Sequence, residues 1–218
     1  MLAPPLDRPF GFDYLKMFGA AYFLLGGSYP RDTHVAEALR SRLAHHFSSW
    51  TDQHDIQACR DRTFNNFRLR ARAFERYMAH QPAGRPPVLF GRSSGARLAS
   101  HHASRTDAAG VVCLGYPFQS PARGPEPVRY LHLATTHVPT LILQGRSDAY
   151  GGADVLSTYS FSPNVSVQLL ETDHDMRLPA SAWDQVANSV LSFLLGCTSP
   201  DKGSNSSPQR RQMCADAN

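Results

Sequence analysis

Two hydrophobic rhythms run along the chain. Short continuous apolar runs, as a strand covered on both faces requires, alternate with stripes whose apolar residues recur every three or four positions. The first run is "AAYFLL", residues 20–25, which passes into the glycine turn "GGSYP". "RDTHVAEALRSRLAHHF" then sets Val35, Leu39, Leu43 and Phe47 on one helical stripe, with Asp32 or Thr33 placed to cap it. Residues 48–63, "SSWTDQHDIQACRDRT", follow neither period, and "DIQAC" is at best a poor strand. "FNNFRLRARAFERYM" restores a helical stripe through Phe64, Phe67, Ala71, Phe74 and Met78.

Beyond this point the alternation is regular. "PVLF" predicts a strand, residues 94–103 a helix, "GVVCLGY" a strand, and residues 117–127 a proline-rich loop. "PTLILQG" predicts a third strand of this series, residues 153–159 a short helix, "VSVQLL" a fourth strand, and "SAWDQVANSVLSFLL" a closing amphipathic helix. Apolar strands separated by helices predict an α/β fold, a mostly parallel, doubly wound sheet with helices on both faces. The domain is expected to span residues 1–196. Residues 197–218 are polar and aperiodic, as expected of a disordered tail.

Composition narrows the function without choosing it. With 42% hydrophobic and 18% charged residues in 218, the chain can bury a sizeable core. Of 22 basic residues only Lys16 and Lys202 are lysines, and the net charge is a mild +4. The arginines are scattered without aromatic interleaving, which argues against nucleic acid as a partner. Cys59, Cys113, Cys197 and Cys214 form no C-x-x-C pair, so a reducing, cytoplasmic setting is expected. The ten histidines include no H-E-x-x-H, and neither a metal nor a cofactor is expected. The apolar stretch "MFGAAYFLLGG" is much shorter than the ~20 residues a membrane span needs and reads as a buried strand.

Chemistry enters with "FGRSSGARLAS", residues 90–100. Gly91 and Gly95 flank Ser93 at two residues on each side, between a predicted strand and a predicted helix. In a doubly wound sheet, functional residues gather beyond the carboxyl ends of strands. Ser93 follows "PVLFG", Asp148 follows "PTLILQG", and His174 follows "VSVQLLE". A serine hydroxyl becomes an effective nucleophile when an imidazole takes its proton, and that imidazole needs a carboxylate to fix its tautomer. The glycines allow strand and helix to approach closely at such a turn. The oxyanion would be held by the backbone N–H of Ser94 and a second from Gly27 or Ser28. Asp173 and Asp175, adjacent to His174, reach its Nδ1 poorly, and Asp154 reads as a helix start.

"GRSSGARLAS", "GVVCLGYPF", "VPTLILQGRSDAYGG", "YSFSPNVSVQLLETDHDM" and the final helix resemble the small, lid-less hydrolases of the α/β-hydrolase superfamily. These are related to a testis-expressed mammalian protein and to the hydrolase-like subunit of the nonspecific-lethal acetyltransferase complex. The resemblance covers roughly residues 88–195. It implies an α/β-hydrolase fold with no cap domain, Ser93 as nucleophile, Asp148 as acid and His174 as base. It also puts Tyr116 and Phe118 near the substrate pocket. Family members carry a His-Gly pair where this chain reads Gly26-Gly27-Ser28, and the leading antiparallel strands look shortened or absent. The expected function is acyl transfer from a small ester or thioester, without a membrane partner. The alternative is a catalytically weak scaffold that binds a protein partner.

Overall fold

The computed structural model describes residues 16–27, 29–56 and 66–198. Its centre is a six-stranded sheet in the order β2-β1-β3-β4-β7-β8, with every pairing parallel. In chain order the elements are β1 (Ala21–Leu24), α1 (Thr33–Leu43), β2 (Trp50–Asp52), α2 (Gln53–Ile56), α3 (Phe67–Ala79), β3 (Val88–Arg92) and α4 (Ser94–Ala103). These are followed by β4 (Gly110–Leu114), β5 (Gln119–Ser120), β6 (Gly124–Pro125), β7 (Thr140–Gly145), α5 (Val155–Thr158), β8 (Val165–Leu170) and α6 (Ala180–Thr198). β5 and β6 form a small separate antiparallel pair within the proline-rich loop.

The apolar runs are continuous because both faces of the central strands are covered. Every residue of β1, β3, β4 and β7 is buried. The edge strand β8 instead alternates between half-buried and exposed over its first four residues. One face packs on α1 and α6 through Val35, Leu39, Leu43, Trp183, Val186 and Val190. The other packs on α3 and α4 through Phe74, Ala96, Leu98 and Ala99. No described helix is long and apolar enough to cross a membrane.

Three expectations are corrected in detail. The unreadable stretch after α1 holds a real strand, β2, built from Trp50–Asp52 and paired with β1. "DIQAC", read as at best a poor strand, begins in the helical turn α2, and its residues 57–59 lie outside the described residues. The α1 stripe ends in a 3-10 turn, Ala44–His46, which still delivers Phe47 fully buried. At the far end α6 runs to Thr198, two residues into the expected tail, whose remainder lies outside the described residues. Phe64 of the expected α3 stripe also lies outside them.

The connections decide where a site can form. From β1 the chain moves outward to β2, then returns across β1 to β3 and continues the other way to β4, β7 and β8. The order therefore reverses between β1 and β3. Doubly wound sheets bind ligands beyond the carboxyl ends of the strands at such a switch point.

Candidate active site

Ser93 stands in the turn between β3 and α4 with φ 52° and ψ −119°, a left-handed backbone that side chains rarely adopt. Such a conformation costs on the order of 1–3 kcal/mol and persists only where its surroundings enforce it. Here they do. A Cβ on Gly91 would lie 2.5 Å from the backbone of Ala96, and one on Gly95 would lie 2.0 Å from the Leu24 carbonyl oxygen. The start of α4 is therefore pressed onto β1, and the strand must turn sharply at Ser93.

The three widely separated residues meet. Ser93 Oγ lies 3.0 Å from His174 Nε2, and His174 Nδ1 lies 2.8 Å from Asp148 Oδ2. Asp148 has no exposed side-chain surface, whereas the His174 side chain keeps 18% of its own. The carboxylate is held from several sides. Oδ1 accepts from the Tyr150 backbone N–H at 2.7 Å, and Oδ2 accepts from the Gln144 side chain at 2.9 Å. Gln144 is fully buried, and its own oxygen accepts from the Tyr116 N–H. The Tyr150 ring stacks against the His174 imidazole with centroids 4.2 Å apart. Asp173 and Asp175 make local contacts instead: Asp173 accepts from the Asp175 N–H, and Asp175 pairs with Arg177.

Around the expected oxyanion position, neither the Ser94 nor the Gly27 backbone N–H has an acceptor among the described residues. Gly27 packs close to the Ser94 hydroxyl. Ser28, the alternative donor, lies outside the described residues. Tyr116 and Phe118, expected at a substrate pocket, are both wholly buried in the core. Tyr116 donates its hydroxyl to the Arg129 carbonyl, and Phe118 stacks on Tyr159.

Several residues that the sequence left unmarked shape the site. Arg92, 2% exposed, donates to the His174 carbonyl and brings a second nitrogen to 3.3 Å from His174 Nε2. Burial lowers its proton affinity, and the carboxylates of Asp32, Asp148, Asp175 and Asp173 act in the opposite sense. Arg70 on α3 donates to the Leu25 carbonyl and to the Ser94 hydroxyl, and Gln53 accepts from the Leu25 N–H. Burial brings Arg70 down to about 10, with the nearby Asp32 charge acting upward. Asp32 sits at the N-cap of α1 without a capping bond; its buried carboxylate lies against Gly26. An arginine ending an otherwise apolar strand, and another on the apolar stripe of α3, were the available signals for Arg92 and Arg70.

The comparisons agree with this architecture. A hydrolase assigned to the alpha/beta superfamily, from Xanthomonas campestris pv. campestris, superposes with a TM-score of 0.57 at 19% identity, over 80% of this chain and 97% of that one. A YdeN-like hydrolase assigned in Pectobacterium atrosepticum gives 0.60 at 18% identity, over 83% and 92%. An esterase from Pyrococcus furiosus gives 0.54 at 13% identity, over 82% of each chain. A comparison with curated protein sequences gave no match. Residues 41–192 match the model of the alpha/beta hydrolase domain, and the chain belongs to that family.

Proposed function

We propose that the protein is a serine hydrolase acting by acyl transfer on a small ester or thioester. The observation that carries the reading is the continuous chain of contacts from Ser93 Oγ through His174 to buried Asp148, at 3.0 and 2.8 Å. In this reading Ser93 attacks the scissile carbonyl while His174 Nε2 takes its proton. Asp148 holds the imidazole with its free nitrogen toward Ser93 and stabilises the imidazolium that forms. The developing oxyanion is met by the backbone N–H groups of Ser94 and Gly27, whose acceptors are missing among the described residues. His174 then protonates the leaving group, and water activated by the same imidazole releases the acyl group from Ser93. The family supports hydrolysis, and an ester substrate fits the Pyrococcus furiosus neighbour, which is an esterase.

The test is covalent labelling with a fluorophosphonate. The native protein is expected to label, and Ser93→Ala to lose the label completely. Labelling that survives in Ser93→Ala would assign the nucleophile elsewhere. An unlabelled native protein would favour the scaffold reading, in which the fold serves to bind a protein partner.

A further inference from the structure

Between α3 and α4 lies a cavity of about 460 Å³, lined by the apolar groups of Phe67, Ala71, Leu98 and the exposed Val128. Ser93 and His174 do not line it, but it is tied to their end of the sheet. The Arg97 N–H donates to the Ser93 carbonyl at 3.3 Å, so Arg97 stands one helical turn beyond Ser93. That separation is about 6 Å along the axis. Side chains on a helix lean toward its N-terminus, which brings the Arg97 guanidinium back toward the Ser93 end.

The charges around this cavity are unevenly matched. Arg105 is paired with Glu75 at 2.9 Å, and the neighbouring Arg129 with Glu126 at 2.7 Å. Arg97, like the exposed Arg68 that also lines the cavity, has no carboxylate partner among the described residues. Its guanidinium lies 4.6 Å from the centre of the Phe67 ring, and its Nε is shielded from solvent without an acceptor. Burial, and then the Arg129 charge, lower its proton affinity; Tyr116 and the Glu126 carboxylate, which is already engaged by Arg123 and Arg129, act in the opposite sense. A planar guanidinium in such a place is a fork for a carboxylate, and the apolar lining suits a short hydrocarbon chain leading to it.

We propose that this cavity is an acyl subsite for a substrate with a terminal carboxylate: a half-ester or half-thioester of a short dicarboxylic acid, its scissile carbonyl at Ser93 and its free carboxylate on Arg97. The proposal rests on the hydrolase reading for the position of the scissile bond. Specificity comes from the anion, since a neutral acyl chain of equal length leaves the guanidinium unpaired.

The experiment compares kcat/KM for monoethyl adipate with ethyl hexanoate, and for monoethyl glutarate with ethyl pentanoate, by titrating released acid. The native protein is expected to favour the anionic member of at least one pair by about tenfold, the scale of one partly shielded charge-assisted contact. In Arg97→Met the ratio falls to about one, and Arg97→Lys retains part of it. Arg85→Met removes the same charge at the Lys16 carbonyl, outside the lining of the cavity, and keeps the native ratio. A native ratio of one or less, or a ratio unchanged in Arg97→Met, overturns the subsite. If the native protein cleaves none of the four esters, fluorophosphonate labelling of Ser93 decides the hydrolase reading separately. Calorimetric titration with adipate then decides the subsite: saturable binding lost in Arg97→Met sustains it, and no binding overturns it.

Discussion

At the scale of single residues, the buried carboxylate of Asp148 is where small changes are expected to cost most. All three groups that reach it, His174 Nδ1, the Gln144 amide and the Tyr150 N–H, donate to it. An asparagine there would have to turn its own amide toward a donor, so either the imidazole or the Tyr150 loop loses its partner. Asp148→Asn is therefore expected to lower kcat by about 10³–10⁴-fold. Steady-state hydrolysis of a short ester, with a thermal melt to show that the fold survives, measures this. A larger loss in Asp173→Asn than in Asp148→Asn would place the acid wrongly. Ser93, Asp148 and His174 were legible because each follows a predicted strand and carries a reactive side chain. Arg92 and Gln144 were not, because their roles are contacts: Arg92 reaches a loop 82 residues away.

At the scale of elements, α4 shows how closely packing and chemistry are joined. Its bounds, residues 94–103, are those that periodicity predicts. Its pressure against β1 is a tertiary property, carried by Gly95. Gly95→Ala is expected to destabilise the protein by about 1–3 kcal/mol or more, because the new methyl meets the Leu24 carbonyl at 2.0 Å and that backbone cannot move freely. Gly84→Ala, where an added Cβ meets nothing within 4 Å, is expected to be neutral or slightly stabilising. Urea unfolding of the two variants side by side checks both. A Gly95→Ala protein as stable as the native one would mean that the elbow is looser than these contacts imply. β2 escaped the sequence reading for an elementary reason. With three residues at a sheet edge it has no period to display, and its partner β1 defines it.

At the scale of the whole molecule, a histidine cluster at the last turn of α4 ties stability to pH. His132 is pushed down to about 3, first by burial, then by the His101 and Arg97 charges; burial also lowers His101 and His102. These rings fold neutral. Below about pH 6.5 the unfolded chain takes up protons there that the folded one refuses, so stability is complete above that pH and declines as pH falls toward 3. With part of the ring solvated, His132 is expected to cost on the order of 1–2 kcal/mol by pH 5. Melting curves from pH 7.5 to 5 should fall by several degrees, and His132→Asn should flatten that fall. An unchanged slope in the variant would mean that other groups carry the acid sensitivity.

The sequence alone determined the layered α/β architecture, because strands covered on both faces must be continuously apolar and the helices between them must show one apolar stripe. It also determined which serine, aspartate and histidine to consider, because chain order and strand ends are local facts. The tertiary structure decided what surrounds them. The burial of Tyr116 and Phe118, the arginines beneath His174 and Ser94, the strand at residues 50–52 and the unpaired Arg97 beside its cavity depend on which distant surfaces meet. Periodicity reports the face a residue presents to the core; only the packed chain sets its neighbour, and with it the charge each buried group must face.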